Sequence, residues 1–252
     1  MNKINIGLLG VDSIRTRAYI SVLTKLNITL EEAIILSGGK SHTPEVIEKS
    51  SYQAICLDVC EVIEKSSYFN NQIHSIKMLQ ALGTPINILE TSDINDTTVV
   101  TALNHSRPKL FIYSGSGGSI IKNNILSTQK HFLHIHPGIL PEYRGSTTIY
   151  YSLLKENKCG ASGIILDENI DTGPVIASKE FPPPDNRKSI DYEYDPYVRS
   201  ALLSDILTYY LHNGRLPEKI NQNREGFNYY IMHPLLRHIT MLSQSHPSNS
   251  GV

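Results

Sequence analysis

The sequence predicts an α/β fold built on a doubly wound, mainly parallel sheet. Over the first half of the chain, short apolar runs alternate with amphipathic helical segments, which is the pattern of parallel strands joined by crossover helices. The 252 residues are enough for one large domain, or for one domain with a small extension. Hydrophobic residues make up 40% of the chain and charged residues 19%, so the composition gives no sign of disorder.

The first half begins with a predicted strand and helix. Lys3–Leu9 is apolar and ends at Gly10, and Ser13 can cap a helix that runs to about Leu26 with one apolar stripe. The pattern at 41–68 is ambiguous and leaves two short helices open. The other predicted elements are a short apolar run at 33–36, a helix at 71–82 stopped by Gly83 and Pro85, a strand at 86–89, a helix capped near Asp93 or Asn95, and a strand at 110–113.

The second half of the chain changes character. A predicted strand at 131–136 runs into the turn Pro137-Gly138, and a predicted helix at 146–156 follows Gly145. The segment 161–181 has the pattern of a hairpin around 169–173, and three consecutive prolines then break the chain. A helix at 195–212 and a strand-like segment at 226–233 complete the predicted order.

Charge and cysteine content exclude several classes of protein. The net charge of −1 lacks the basic excess of a general nucleic-acid binder. Three Cys with no CxxC pair disfavour a disulfide scaffold or a zinc ribbon and indicate a reducing compartment. The N-terminal apolar run is too short for a signal-peptide core, and no stretch approaches the ~20 apolar residues of a membrane span. We therefore expect a cytoplasmic protein with no membrane partner.

Two glycine-containing segments follow predicted strands. Gly7 and Gly10 do not make a GxGxxG motif, so a turn is preferred to a dinucleotide site. Ser114–Ser119 (SGSGGS) lies where α/β sheets place ligands, and its successive N–H groups can bind an anion or a carbonyl. An ordinary flexible turn is the competing interpretation of this segment.

Residues 134–145 (HIHPGILPEYRG) carry the most specific pattern. In a strand, His134 and His136 point to the same face, and Pro137 places both imidazoles at the strand end. Such a pair can be structural, catalytic or metal-binding, because His-x-His can present two nitrogens to one ion. The later segment DENIDTG, which also reads as a turn, supplies three carboxylates: Asp167, Glu168 and Asp171.

Together, HPGILPEYRG, a helix and GASGIILDENIDTGPVIAS strongly resemble the signature region of the formyltransferase family, over residues 133–178. That family uses 10-formyltetrahydrofolate and includes glycinamide ribonucleotide, methionyl-tRNA and nucleotide-sugar N-formyltransferases. The resemblance implies a Rossmann-like formyltransferase fold with a short C-terminal helix and strand extension. It implies a catalytic domain at 1–184, an extension at 185–241 that completes it, and a disordered tail at 242–252.

The resemblance also implies site residues. His136 and Asp171 match the family's catalytic His and Asp, whereas the family's Asn is replaced by His134. The loop that holds the pterin ring of the donor corresponds to Ser114, Gly115, Ser116, Gly117, Gly118, Ser119, Ile120 and Ile121. We expect the acceptor to contact Pro137, Gly138, Tyr143, Arg144 and Gly145, and we expect no metal.

Formyl transfer explains why these residue types are needed. Negative charge develops on the formyl oxygen when an amine attacks the formyl carbon, so hydrogen-bond donors must face that oxygen. A protonated His136 can donate and Asp171 can orient it, while the amine proton leaves through His136, Asp171 or water. His134 can donate in place of the Asn amide. Two protonated imidazoles repel, so we expect at most one to be charged, and a rate that depends on pH near neutrality.

The acceptor is predicted by excluding tRNA, the substrate of one branch of the family. Members that formylate tRNA resemble longer chains with a basic C-terminal barrel, whereas little chain follows the signature here and it has no basic excess. A small-molecule amine, first of all a nucleotide-linked amino sugar, is therefore preferred to a nucleic acid, and a homodimer is left open. The residues that can stack on a base or sugar, or else pack in the core, are Tyr143, Tyr150, Tyr151, Tyr229 and Tyr230.

Two other functions remain open from the sequence. One is a catalytically silent homologue that binds folate or another ligand. The other is a metal-dependent hydrolase or deformylase with His134, His136 and Asp171 as ligands. The metal content of the purified protein distinguishes the metal-dependent hydrolase from a formyltransferase. Measured turnover distinguishes the catalytically silent homologue from a formyltransferase.

Overall fold

The computed structural model describes residues 1–38, 73–222 and 226–243. Its strands are β1 (Asn2–Val11), β2 (Ile28–Leu36), β3 (Ile86–Leu89), β4 (Leu110–Ser114), β5 (His131–His136), β6 (Tyr143–Gly145), β7 (Cys159–Ile165), β8 (Val175–Phe181) and β9 (Phe227–Tyr229). Its α-helices are α1 (Ile14–Lys25), α2 (Ser75–Ala81), α3 (Thr97–His105), α4 (Asn123–Leu126), α5 (Thr148–Glu156), α6 (Asp195–Asn213) and α7 (Pro234–Leu242). A 3₁₀ turn (Arg187–Ser189) and a π-helical turn (Ile190–Tyr194) precede α6.

Seven of these strands form one sheet in the order β3-β2-β1-β4-β5-β7-β8. Strands β1 to β5 pair in parallel, while β7 is antiparallel to both β5 and β8. The order changes direction at β1, so the carboxyl ends of β1 and β4 flank the point where α/β sheets bind ligands. The predicted α/β class with a mainly parallel sheet is confirmed.

Apolar side chains cover both faces of the sheet. Adjacent residues of a strand point to opposite faces, so Leu8 belongs to one buried cluster and Leu9 to the other. Helices α1, α2, α5 and α6 pack on the face of Leu8, and α3 and α4 pack on the face of Leu9. This two-sided coverage is the doubly wound arrangement that the alternating pattern predicts.

Several predicted elements have the expected positions. Ser13 caps α1 by accepting a hydrogen bond from the Thr16 N–H at 3.1 Å. The strands predicted at 86–89 and 131–136 have the predicted bounds, and the predicted hairpin is formed by β7 and β8. None of the helices in the described ranges is long and apolar enough to cross a membrane.

Helix starts differ from the prediction by a few residues. The cap of α3 is Asp96, whose carboxylate accepts from the Thr98 N–H at 2.8 Å, rather than Asp93 or Asn95. Helix α5 begins at Thr148 because Thr147 has a left-handed conformation with φ 54°. Of the helix predicted at 71–82, residues 75–81 are helical, and 71–72 lie outside the described residues.

The C-terminal prediction needs the largest correction. Only Phe227–Tyr229 of the strand-like segment is a strand, and it pairs in parallel with β6 in a second, two-stranded sheet. Pro234 then begins α7, which the sequence analysis does not predict. A proline at the first helical position favours a helix start, so the sequence does contain a signal for this helix. The ambiguous segment 41–68 and the tail from 244 onward lie outside the described residues.

Candidate active site

Two adjoining clefts lie over the ends of β4 and β5. The larger cleft, of about 470 Å³, is bounded by Arg15, the loop 115–119, the start of α5 and Arg199. The smaller cleft, of about 410 Å³, is bounded by 118–121, Leu166, 169–171 and 228–231. His134 and Asp171 line both clefts, and His136 lines the larger one. The three residues from the two sequence motifs therefore meet where the clefts join.

His136 has both ring nitrogens engaged. Its side chain is buried, with Nε2 2.6 Å from the Tyr143 carbonyl oxygen and Nδ1 3.3 Å from Oδ2 of Asp171. A carbonyl oxygen only accepts, so Nε2 carries a hydrogen and donates it. Nδ1 then faces Oδ2 of Asp171 in an ion-pair contact, which is favourable when the imidazole carries its second proton.

Gly138 makes the bond from His136 to Tyr143 possible. A Cβ at this position would lie 3.0 Å from His136 Nε2 and 2.9 Å from the Tyr143 carbonyl oxygen. Any larger residue would therefore press against both atoms of the bond. The glycine at position 138 of the motif is explained by this close approach.

Asp171 is held in place by backbone and amide contacts. It has a left-handed conformation with φ 53°, which Asp tolerates better than most residues. The Gly145 N–H donates to Oδ2 at 2.8 Å, and the Gln222 side-chain amide donates to the Asp171 carbonyl at 2.9 Å. A Cβ on Gly173 would come within 1.9 Å of the Ile165 carbonyl oxygen, so the Asp-Thr-Gly turn requires glycine there. The carboxylate that faces His136 is fixed by these contacts.

His134 has a buried nitrogen without a protein partner. Its Nδ1 makes no hydrogen bond to any residue that the structure describes, and its ring lies 6.4 Å from that of His136 and 6.0 Å from that of Tyr113. Burial lowers the pKa of His134 well below its usual value, and the nearby positive charges of Arg199 and Arg15 lower it further. His134 is therefore neutral at neutral pH.

Burial also lowers the pKa of His136, although the carboxylate of Asp171 opposes this shift. The directions of the two imidazole shifts agree with the expectation that at most one imidazole is charged at neutral pH. They also move the titration of the pair to lower pH than the sequence analysis expects. The physical cause is that the strand end is covered by the turn and the loops.

The loop predicted to bind the donor is only partly on the cleft walls. Residues 115–119 line the larger cleft and 118–121 line the smaller one. Ser114 lines neither cleft, because β4 extends one residue further than predicted and buries it behind the loop. There its Oγ lies 2.8 Å from Thr16 Oγ1 and accepts from Arg15 Nε at 3.3 Å.

The predicted acceptor residues divide in the same way. Pro137 and Gly145 line the larger cleft, but Gly138, Tyr143 and Arg144 do not. The Tyr143 hydroxyl donates to Glu156 at 2.6 Å, and Arg144 donates to the side-chain oxygen of Gln222 at 2.9 Å. Their polar groups therefore face neighbouring side chains, and contact of these residues with the acceptor stays a prediction.

The tyrosines predicted to stack on a ligand also fall into two groups. Tyr143 and Tyr151 pack against Tyr229, with ring centroids 5.5 Å and 4.5 Å away. Tyr150 lines the larger cleft, and Tyr229 and Tyr230 line the smaller one. Packing against Tyr229 thus accounts for the positions of the Tyr143 and Tyr151 rings.

Two arginines of the larger cleft are absent from the sequence prediction. Arg199 forms an ion pair with Asp195 at 2.9 Å and donates to the Ile135 carbonyl. Arg15 donates to Ser114 Oγ and to the Gly115 carbonyl, and it has no ion pair with a carboxylate among the described residues. Burial lowers the pKa of Arg15. Arg15 directly follows the predicted turn after β1. This position is a signal in the sequence that could have identified Arg15 as a residue of the cleft.

Comparisons with known proteins agree with this geometry. The formyl transferase family model matches residues 30–191. Methionyl-tRNA formyltransferase of Finegoldia magna is 37% identical over 100 residues, which are 39% of this chain and 32% of that protein. Methionyl-tRNA formyltransferase of Thermus thermophilus is 32% identical over 99 residues, again 39% of this chain and 32% of that protein. The matched region thus spans about a third of these relatives.

Solved structures show the same fold at low sequence identity. A sugar N-formyltransferase from Shewanella sp. has a TM-score of 0.57 at 17% identity, covering 94% of this chain and 86% of that one. Phosphoribosylglycinamide formyltransferase from Streptococcus pneumoniae has a TM-score of 0.55 at 16% identity, covering 84% and 99%. The resemblance seen in the motifs is confirmed, and the chain belongs to the formyl transferase family.

Proposed function

We propose that this chain is an N-formyltransferase that moves a formyl group from 10-formyltetrahydrofolate to a small-molecule amine, with a nucleotide-linked amino sugar as the preferred acceptor. The observation that carries the proposal is the contact between His136 Nδ1 and Asp171 Oδ2, 3.3 Å apart at the junction of two clefts. One cleft suits each substrate, and the pair lies where an amine and a formyl group must meet.

The smaller cleft fits the donor. Its walls combine apolar side chains, Ile121, Leu166 and Ile170, with backbone groups of the loop 118–121 and of the Asp171 turn. Apolar walls with a few polar groups suit a flat heteroaromatic ring such as a pterin. The buried Tyr113 hydroxyl, which has no partner among the described residues, adds a polar group at this cleft. When bound, the donor would supply the formyl group.

The chain's own residues supply proton handling and positioning. Asp171 Oδ2 accepts the proton that the amine must lose, because its carboxylate lies at the cleft junction, 3.3 Å from His136 Nδ1. The bond from His136 Nε2 to Tyr143 keeps Nδ1 directed at the cleft junction. His134, neutral and at the same junction, has one N–H to donate toward the developing negative charge. This assigns to His134 the donor role of an Asn amide.

The larger cleft supports an anionic acceptor. Arg15 brings a positive charge to its wall without an ion-paired carboxylate among the residues described. A buried cation of this kind is stabilised by an anionic ligand group. The phosphates of a nucleotide-linked sugar meet this requirement while its amine reaches His136 and Asp171.

A tRNA acceptor is the second candidate, favoured by the names of the curated relatives. Both relatives described above are methionyl-tRNA formyltransferases, but the matched region spans only about a third of each. The sequence has 23 basic and 24 acidic residues, so it lacks the basic excess that tRNA binding favours. The balance of charge supports the small-molecule acceptor.

The donor half of the proposal is tested with 5-formyltetrahydrofolate, a stable analogue. We expect it to bind, and a crystal structure of the complex should have the pterin in the smaller cleft against residues 118–121. Absence of folate binding would reject the proposed function. A pterin bound elsewhere would reject the assignment of the loop while leaving formyl transfer itself open to the turnover assay.

A further inference from the structure

Three metal-ligating groups meet at the junction of the clefts. His134, His136 and Asp171 each bring one ligating atom to within 4.8 Å of the other two. The two imidazoles project from β5, a central strand of the sheet, and Asp171 is held by hydrogen bonds from Gly145 and Gln222. All three groups are therefore positioned in advance by the fold.

His136 already has the hydrogen bonding of a metal ligand. A metal-bound imidazole almost always donates its other ring N–H to a carbonyl or carboxylate, which fixes its tautomer and orientation. His136 Nε2 donates to the Tyr143 carbonyl at 2.6 Å, and this leaves the Nδ1 lone pair facing Asp171 Oδ2 at 3.3 Å. Two electron-rich atoms at this distance require a cation between them, either a proton or a metal ion.

The distances suit a tetrahedral ion. Nitrogen and oxygen ligands about 2.1 Å from zinc in tetrahedral geometry lie about 3.4 Å from each other. His136 Nδ1 and Asp171 Oδ2 are 3.3 Å apart, which is close to that spacing. The ligating atoms of the whole set lie within 4.8 Å of one another.

His134 supplies the third ligand. Its Nδ1 is buried and makes no hydrogen bond to the described part of the chain, which is costly for a polar atom. The formyltransferase motif has Asn at this position, and an amide oxygen is a weak ligand for zinc, whereas a neutral imidazole is a strong one. The change from Asn to His therefore converts a His–Asp pair into a set of two imidazoles and one carboxylate.

We propose that His134, His136 and Asp171 form a site for a divalent transition-metal ion of the zinc class. This goes beyond formyl transfer, because a bound ion occupies the atoms that handle the proton in that reaction. Two protein nitrogens, one oxygen and an open fourth position match the ligand number of three-ligand zinc sites.

The charges around the site set the conditions for binding. Arg15 and Arg199 disfavour a cation, while Asp171 and Asp195 favour it.

The test titrates metal-stripped protein with Co²⁺, whose visible absorption reports nitrogen and oxygen ligation, and then displaces it with Zn²⁺. We expect one ion per chain for the wild type, and at least about 10-fold weaker binding for His134→Asn. His131→Asn is the matched control, because His131 lies exposed on the same strand, and its affinity should equal that of the wild type. Calorimetry in two buffers of different ionisation enthalpy should detect any proton that the ligand side chains release when the ion binds.

Equal binding of Co²⁺ by the wild type and by His134→Asn would overturn the proposal, and so would an absence of stoichiometric binding by the wild type. Thermal unfolding of each variant checks the fold. If His134→Asn does not fold, Asp171→Asn is judged by the same affinity criterion. None of these measurements depends on formyl transfer, so the site is tested separately from the proposed function.

Discussion

His136 Nδ1 and Asp171 Oδ2 lie 3.3 Å apart, and the Tyr143 carbonyl determines that it is Nδ1 that faces the carboxylate. This relationship decides which ring nitrogen can exchange a proton in the cleft. With Nε2–H committed to the carbonyl, a second proton on the ring would lie on Nδ1, beside the Asp171 carboxylate. That carboxylate opposes the lowering of the His136 pKa by burial.

The contact between His136 and Asp171 makes both residues necessary for turnover. We predict that His136→Ala and Asp171→Asn each lower kcat by at least about 100-fold, the usual contribution of general acid–base groups. Steady-state kinetics with an identified acceptor measures the loss, and thermal unfolding of each variant provides the control for the fold. A variant with near-wild-type kcat would exclude its residue from the chemistry.

Replacing His134 separates its donor role from its charge. His134→Ala should lower kcat by roughly 100-fold through loss of a hydrogen-bond donor, whereas His134→Asn should keep substantial activity. Burial lowers the pKa of both imidazoles, so the wild-type rate should be constant through neutrality. It should fall only below the usual imidazole pKa of about 6.5, when the imidazoles become protonated.

The measurement is kcat against pH for the wild type and both His134 variants. His134→Asn should remove the part of the acid limb that belongs to His134. Full activity of His134→Ala would make this residue structural. If His134→Asn is as inactive as His136→Ala, His134 has a chemical role that an amide cannot fill.

Arg15 is predicted to act on the acceptor alone. Arg15→Gln removes the positive charge from the larger cleft, so KM for an anionic acceptor should rise by at least about 10-fold, with a smaller effect on kcat. Binding of 5-formyltetrahydrofolate should be unchanged, because Arg15 does not line the smaller cleft. A parallel loss of folate binding would show that the substitution disturbs the loop rather than the acceptor.

Asp12 is predicted to stabilise the fold by joining α1 to α2. Its carboxylate accepts from the Ser75 N–H at 2.9 Å and pairs with Arg17 at 2.5 Å. Burial alone raises the pKa of Asp12, but the contacts with Arg17 and Ser75 outweigh burial and lower it from 3.8 to about 2. Because the folded-state pKa is the lower one, this stabilisation is present above about pH 4 and is lost as the pH falls toward 2.

Asp12→Ala should therefore lower the free energy of unfolding at pH 7 by about 2 kcal/mol, and the difference from the wild type should shrink at pH 3. Urea denaturation at both pH values measures this. Asp185→Ala, at an exposed carboxylate, is the control and should have little effect. A constant difference between Asp12→Ala and the wild type would mean that Asp12 acts by packing rather than by charge.

The sequence predicts most of the sheet and the centre of the site because both depend on local patterns. Strand residues alternate between faces, so the His-x-His spacing alone places His134 and His136 together. Contacts between distant segments are not predicted in this way. Gln222 lies 51 residues from Asp171 and yet holds its turn. Nor are the hydrogen bonds of Tyr143 and Arg144 predicted, because their partners, Glu156 and Gln222, come from other parts of the chain.

Transfer of an isotopically labelled formyl group from 10-formyltetrahydrofolate tests the central claim most directly. The wild type is incubated with labelled donor and a panel of nucleotide-linked amino sugars, with methionyl-tRNA included, and the labelled product is identified by mass spectrometry. We predict that label passes to the amine of a sugar nucleotide in the wild type, and that Asp171→Asn shows no transfer above background. Label that passes only to methionyl-tRNA would contradict the proposed acceptor, and equal transfer by Asp171→Asn would contradict the proposed role of the His136–Asp171 pair.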